Sequence, residues 1–487
     1  MPAPPEFLSY VDKNEENFIR RLSEAVEIPS VSGDPYRRQD VVRMADFLEN
    51  QLKSYGVETK QMPLGNHVMD GQELELPPVI LGRIGNDKNK KTVLIYGHFD
   101  VMPAELSDDW SYPPFKLTYD KESGRLYGRG SSDDKGPVLA WINILQAHHE
   151  LSMPLPVNLR FCFEGMEESG SIGLNDLVVS EVGKGKDGWF DGLDCVCISD
   201  GYWLNTRTPC LAYGLRGISY VKMTVQGPAK DLHSGVFGRT VHEPMTDLIL
   251  LMSKLVDTQG NILIPGVDEM VPPPDEEERA IYDKLDYSVQ DVEEAAGAPV
   301  ALSDDKSSVL MGRMRYPALS LHGIEGDAGS RTVIPAKVSG KFSIRLVPPQ
   351  TPEKVYSLIV KHVEEEFKKL GTKNKLTIEQ LHGGKGWVEN HKHWNYEAAK
   401  RATELIYKKT PDLTREGGSI PITLTFADAL GVNILLLQMG RGDDGAHSTN
   451  EKLDKSNFIE GVNNSSCFPF ITKLLGTYLY EVAAIAK

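Results

Sequence analysis

A chain of 487 residues exceeds what one ordinary hydrophobic core organises, so two or three domains are expected. With 40% hydrophobic and 25% charged residues the composition is that of a soluble globular protein, and no stretch is long and apolar enough to span a bilayer. The net charge of -16, with no basic stripe to offset it, argues against a nucleic-acid partner.

Cys162, Cys195, Cys197, Cys210 and Cys467 form no C-x-x-C pair and are odd in number, which suits a reducing compartment. The stretch Met1-Pro2-Ala3-Pro4-Pro5-Glu6 lacks the basic region and apolar core of a signal peptide. A cytoplasmic protein with no membrane association is the expectation.

From Glu15 to about Leu52 apolar residues recur every three to four positions, as in Phe18, Leu22, Val26 and then Val42, Met44, Phe47, Leu48, Leu52, which predicts two helices. Strands are expected at Pro78 to Gly82 and Val93 to Tyr96, followed by a long irregular stretch through Pro103 and Pro114. A helix from about Pro137 to Glu150 suits Pro in a first turn, and apolar runs at Val157 to Phe163 and Cys195 to Ser199 complete a strand, helix, strand rhythm.

From Gly214 the character changes. Strands are predicted at Ile218 to Val225, Ala318 to His322, Lys337 to Val347 and Leu376 to Leu381, with helices at His242 to Val256 and at Pro352 to Leu370, the latter capped by Thr351. This β-α-β-β-α-β order is that of a small two-layer domain. The acidic, Pro-rich piece from about Val267 to Lys306 reads as a solvated excursion with one short helix near Glu276 to Leu285. Beyond Gly383-Gly384-Lys385-Gly386 the α/β pattern returns, with a helix at Tyr396 to Lys408, a strand at Asn433 to Gln438 and a terminal helix. The fold class is therefore α/β: a discontinuous catalytic domain, 1–212 with 387–487, whose central sheet is flanked by helices, and an inserted α+β lid and dimerisation domain, 213–386.

Polar clusters close one dry run after another. They are His98 and Asp100, then Asp133 and Asp134, Glu167 and Glu168, Asp200, and His447 in Asp443-Asp444-Gly445-Ala446-His447-Ser448. Carboxylates that repeatedly terminate buried strands converge on one crevice and repel one another unless a cation sits among them. Two histidines with three or more carboxylates exceed one tetrahedral site and suit two divalent metals that share a carboxylate.

In order and wording these clusters resemble the binuclear metallopeptidase family that includes bacterial carboxypeptidases, aminoacylase and carnosinase-like dipeptidases. Gly128-Arg129-Gly130-Ser131-Ser132-Asp133-Asp134-Lys135-Gly136 and Phe163-Glu164-Gly165-Met166-Glu167-Glu168-Ser169-Gly170-Ser171 are nearly verbatim for its branch of cytosolic nonspecific and Cys-Gly dipeptidases. The resemblance covers nearly the whole chain.

It implies that His98 and Asp200 hold one metal and Glu168 and His447 the other, with Asp133 bridging both. The ions are Zn²⁺ or Mn²⁺, since imidazole with carboxylate ligation suits either. Asp100 is expected to orient His98 without touching metal, and Glu167 to act as general base. Arg345 is expected to grip the substrate's carboxylate, and His233 to stabilise the oxyanion across a homodimer interface. Thr332 and Ser419 match further substrate contacts. The activity implied is hydrolysis of dipeptides with a free carboxyl terminus, Cys-Gly of glutathione breakdown among them; the alternative is an N-acyl amino acid amidase or deacylase. One departure stands out: Val462 to Ile471 intervenes where this branch usually runs straight into Thr472, and its Pro469 is expected to break the terminal helix.

Overall fold

The computed structural model describes residues 2–326, 332–418, 420–454 and 468–486. The chain divides into two compact units, one of Met1–Tyr213, Glu389–Thr414 and Ile420–Lys487, the other of Gly214–Val388 with Arg415–Ser419. In chain order the principal strands are β1 Glu58–Met62, β2 Val79–Ile84, β3 Thr92–His98, β4 Asn158–Glu164, β5 Cys195–Ile198, β6 Cys210–Leu215, β7 Gly217–Gln226, β8 Ala318–Glu325, β9 Lys337–Leu346, β10 Lys375–Gly384 and β11 Asn433–Leu437.

The first unit is built on a mixed sheet in the order β1-β2-β4-β3-β5-β11-β6. Strand β3 is parallel to both of its neighbours, β4 and β5, and β5 is parallel to β11. All seven residues of β3 are buried, which is why its sequence is a continuous apolar run rather than an alternating one. Helices α1 Glu15–Val26 and α2 Arg38–Ser54 fall where the periodicity placed them.

Helix α3, Lys135–Glu150, packs against β3. It buries Val138, Trp141, Ile142 and Leu145, each of which contributes roughly 1.5–3 kcal/mol by leaving water. A Cβ on Gly97 would lie 2.6 Å from Val138 Cγ2 and 2.7 Å from Asp134 Oδ2, so only glycine lets strand and helix approach this closely. The Trp141 indole N–H donates to Ser199 Oγ at 3.0 Å, tying α3 to the exit of β5.

The second unit carries the antiparallel sheet β8-β9-β7-β10. Two helices, α4 Pro244–Met252 and one at Pro352–Leu370, pack against it through Val221, Met223, Leu248, Leu251, Phe342, Ile344, Val355 and Ile359. The longer helix starts where the Thr351 side chain accepts the Lys354 N–H and stops at Gly371 in the left-handed conformation. Strand β10 runs three residues past its expected end, through Gly383 and Gly384.

The acidic excursion corrects the reading made from composition. It holds two α-helices, Glu276–Lys284 and Val289–Ala296, rather than one, and a third, Lys306–Met314, starts at its end. Side chains of Asp275, Ser288 and Asp305 cap them, satisfying N–H groups that a first turn leaves orphaned. Tyr282, Leu285, Tyr287, Leu310, Met311 and Met314 are buried, so sparse apolar residues suffice to close a small core.

Among the described residues the terminal helix covers Phe468–Ala483, Pro469 included, and its start lies outside them. Residues 462–467 of the intervening segment lie outside the described residues. Among the described residues no helix is long and apolar enough to cross a membrane.

Candidate active site

The carboxyl ends of β3, β4 and β5 deliver His98, the Glu167–Glu168 turn and Asp200 to one place, because parallel neighbours open their loops on the same edge. Asp133, in the loop before α3, and His447, in the loop after β11, complete the cluster. His98 Nε2 lies 3.1 Å from Asp133 Oδ1 and 3.7 Å from Asp200 Oδ2. His447 Nε2 lies 3.2 Å from Asp133 Oδ2 and 2.9 Å from Glu168 Oε2. Asp133 thus turns one oxygen to each histidine. Ligand atoms of His98, Asp133 and Asp200 lie within 4.8 Å of one another, and so do those of Asp133, Glu168 and His447.

These donors fit two cations. Burial, and then Asp133, pushes the Asp200 carboxyl up to about 7, while burial raises Glu168 with Asp133 beside it. Hydrogen bonds from His447 and His98 outweigh burial at Asp133 and hold it below the ordinary carboxylate range. Asp133 and Glu168 in turn raise His447 to about 10. Burial opposes protonation of His98, but Asp100 and Asp133 raise its pKa well above the ordinary value. Protons on the two histidines therefore supply the positive charge that this carboxylate set demands, and metal ions would replace them.

Asp100 is fully buried and belongs to neither ligand group. His98 Nδ1 donates to the Asp100 main-chain oxygen at 3.1 Å and faces its Oδ1 at 3.4 Å. The carboxylate also accepts the Glu167 and Glu168 N–H groups, both at 3.1 Å, so one side chain orients a histidine and a two-glutamate turn together. Glu167 sits in that turn, held above the ordinary carboxylate range by burial and by Asp200, Asp100 and Glu168. That is the direction a general base requires.

The second unit places its own candidates. Arg345 pairs with Ile218 and Ala318 on β9, on the face opposite Phe342, Ile344 and Leu346. It has no hydrogen-bond or ion-pair partner among the described residues. His233 and Val333 are cross-strand partners, and Ser234 Oγ donates to the Thr332 carbonyl at 2.8 Å, so His233 and Thr332 share one exposed corner. The His233 Nδ1 accepts the Gly235 N–H at 3.0 Å, which leaves Nε2 as the ring's donor nitrogen. Ser419 lies outside the described residues.

Sequence reasoning passed over Glu451, which is fully buried and accepts the Asp133 N–H at 3.1 Å. Its position four residues after His447 was the available signal. It also passed over Tyr202, whose hydroxyl donates to Ser132 Oγ at 3.3 Å. A third acidic group, Asp443, Asp444 and Asp454, surrounds Lys452 Nζ and is an ion network rather than a metal site.

A family model described as peptidase family M20/M25/M40 matches residues 94–466. The chain belongs to this family. It is 52% identical to the Cys-Gly metallodipeptidase of Schizosaccharomyces pombe, over 98% of each chain. It superimposes on the dipeptidase Dug1p of Saccharomyces cerevisiae with a TM-score of 0.88 at 48% identity, covering 99% of both chains. Human carnosine dipeptidase 1 gives the same TM-score at 39% identity, with 99% of this chain and 100% of that one covered. The α/β class and the resemblance to metallodipeptidases are borne out by these relatives.

Proposed function

We propose that this family member is a metal-dependent dipeptidase that cleaves dipeptides with a free C-terminal carboxylate, Cys-Gly among them, within glutathione breakdown. The observation that carries this reading is Asp133, with one oxygen directed at His98 and Asp200 and the other at His447 and Glu168. His98, Asp133 and Asp200 would hold one divalent ion, and Asp133, Glu168 and His447 the other, as Zn²⁺ or Mn²⁺. Such a pair supplies Lewis acidity to the scissile carbonyl and acidifies a water.

Glu167 takes the proton of that water and returns it to the leaving amine. Asp100 keeps His98 in the tautomer whose Nε2 faces the cluster and holds the Glu167–Glu168 turn in place. Arg345, unpartnered on its sheet face, clamps the substrate carboxylate, and His233 offers Nε2–H to the developing oxyanion. Thr332 and Ser419 contribute further contacts.

His233 acts across a homodimer. Supporting this, Ile249 and Leu250 on α4 and Leu321 and Ile324 on the edge strand β8 are exposed on the second unit. The division into a catalytic domain and a lid follows the two compact units. Among the described residues the cysteines Cys162, Cys195, Cys197 and Cys210 are buried outside any disulfide, which suits a cytoplasmic setting.

The test is to strip metals, reconstitute with Zn²⁺ or Mn²⁺, and assay Cys-Gly, Ala-Gly and an N-acetyl amino acid. Restored cleavage of Cys-Gly is the expected result. Preference for the acetylated compound would assign an amidase or deacylase instead, and tight metal binding with no hydrolysis would leave only a metal-binding scaffold.

A further inference from the structure

Glu451 belongs to neither ligand set, yet both of its carboxylate oxygens are engaged by the loop that carries Asp133. It is fully buried. Oε2 accepts Arg129 Nη1 and the Gly130 N–H, each at 2.9 Å. Oε1 accepts the Ser132 N–H at 3.0 Å, Ser132 Oγ at 3.1 Å and the Asp133 N–H at 3.1 Å. Its main-chain oxygen accepts the Gly128 N–H at 3.0 Å.

The backbone donors, Gly128, Gly130, Ser132 and Asp133, all belong to the loop that ends at Asp133, while the Arg129 and Ser131 N–H groups bond to the Pro114 and Gly128 carbonyls. The chain turns sharply there: Gly130 has φ of +84°, and a Cβ on it would lie 2.7 Å from Val101 Cγ1. Where several buried N–H groups of one loop turn to the same point, an acceptor is needed there, since buried unpaired N–H groups are costly. Arg129, itself buried, neutralises the acceptor and donates its other nitrogen, Nη2, to the Ser448 carbonyl at 3.1 Å, next to His447. One carboxylate and one guanidinium therefore join the segment bearing the shared ligand to the segment bearing the second histidine.

We infer that Glu451 is a positioning residue that sets the affinity of both cations by fixing the Asp133 loop against the His447 loop. The inference rests on the ligand set proposed above. Metal affinity depends on such outer partners because they remove the freedom that ligands must otherwise lose on binding. Since Asp133 belongs to both groups, loosening it weakens both sites together.

The experiment compares Glu451→Gln and Glu451→Asp with the parent protein in calorimetric Mn²⁺ titrations of the metal-stripped form, alongside thermal unfolding and kcat at rising Mn²⁺. The glutamine must aim its NH₂ at one of the two donor sets, and the aspartate is one methylene too short to serve both. Each variant is expected to bind Mn²⁺ about 10–100-fold more weakly, with kcat recovering as Mn²⁺ is raised to saturation. Parent-like Mn²⁺ affinity in a folded variant overturns the inference, and so does lost kcat that excess Mn²⁺ does not restore. Should neither variant fold without metal, Arg129→Lys, which keeps the charge but not the reach to Ser448, must weaken Mn²⁺ binding, and unchanged affinity there overturns the inference equally. A parent protein that takes up no pair of ions sinks the ligand reading itself, and the inference falls with it.

Discussion

Asp100→Asn isolates a buried residue that belongs to neither ligand set yet serves three partners. Its carboxylate accepts the Glu167 and Glu168 N–H groups at 3.1 Å each and faces His98 Nδ1 at 3.4 Å. An asparagine of the same shape keeps one acceptor oxygen and presents NH₂ where the other stood. One charge-assisted hydrogen bond, about 1.5–3 kcal/mol, is lost, and a buried N–H is left facing a donor. If about 3 kcal/mol of this appears in the transition state, through a tilted His98 and a displaced Glu167, turnover falls by about two orders of magnitude. The assay is kcat on Cys-Gly with the metal-reconstituted variant, beside a circular dichroism check of fold. Turnover equal to the parent's, with both metals bound, would refute the assignment of Asp100 as an organiser of the site.

Glu167→Gln should lower kcat by about 10²–10⁴-fold while leaving KM nearly unchanged, since the amide cannot carry the proton; retained turnover would exclude it as the base. Arg345→Met should raise KM for dipeptides by about two orders of magnitude, the worth of one bidentate charged contact, and leave a dipeptide amide unaffected. For pH, His447 stands at about 10 against an ordinary 6.5, so its stabilisation of the metal-free fold is complete below about pH 6.5 and is lost as pH rises towards 10. Cations must displace that proton, so Mn²⁺ affinity of the stripped protein should climb through the same window with measurable proton release; a pH-independent affinity would contradict it. Tyr282→Ala should cost about 3–5 kcal/mol of stability, read as a lowered unfolding midpoint, because Tyr282 is the centre of a packed helical insertion rather than a residue on a solvated loop.

The strands that position the ligands were legible because burial on both faces leaves an unmistakable mark. Thr92 to His98 admits no solvent-facing position, and its polar end coincides with the end of the dry sheet. The helices Glu15–Val26 and Arg38–Ser54 were legible by period. Acidic composition let the helix at Glu276–Lys284 be read but hid those at Val289–Ala296 and Lys306–Met314, whose capping residues Ser288 and Asp305 carried the local signal while few apolar residues announced a core.

Residue types at the ends of dry runs, His98, Asp133, Glu168, Asp200 and His447, were readable along the chain, because each chemistry demands its donors whatever the fold around them. Their grouping followed from the family resemblance and not from the residues themselves. That Asp133 divides its oxygens between two histidines, that Asp100 serves a backbone turn as much as His98, and that Glu451 gathers the Asp133 loop are facts of position. Residues 318 positions apart in the chain meet there, as Asp133 and Glu451 do. Only the packed sheet and its loops decide such contacts, since local sequence constrains neighbours within a turn or a strand and says nothing of which distant carboxylate will find an orphaned N–H.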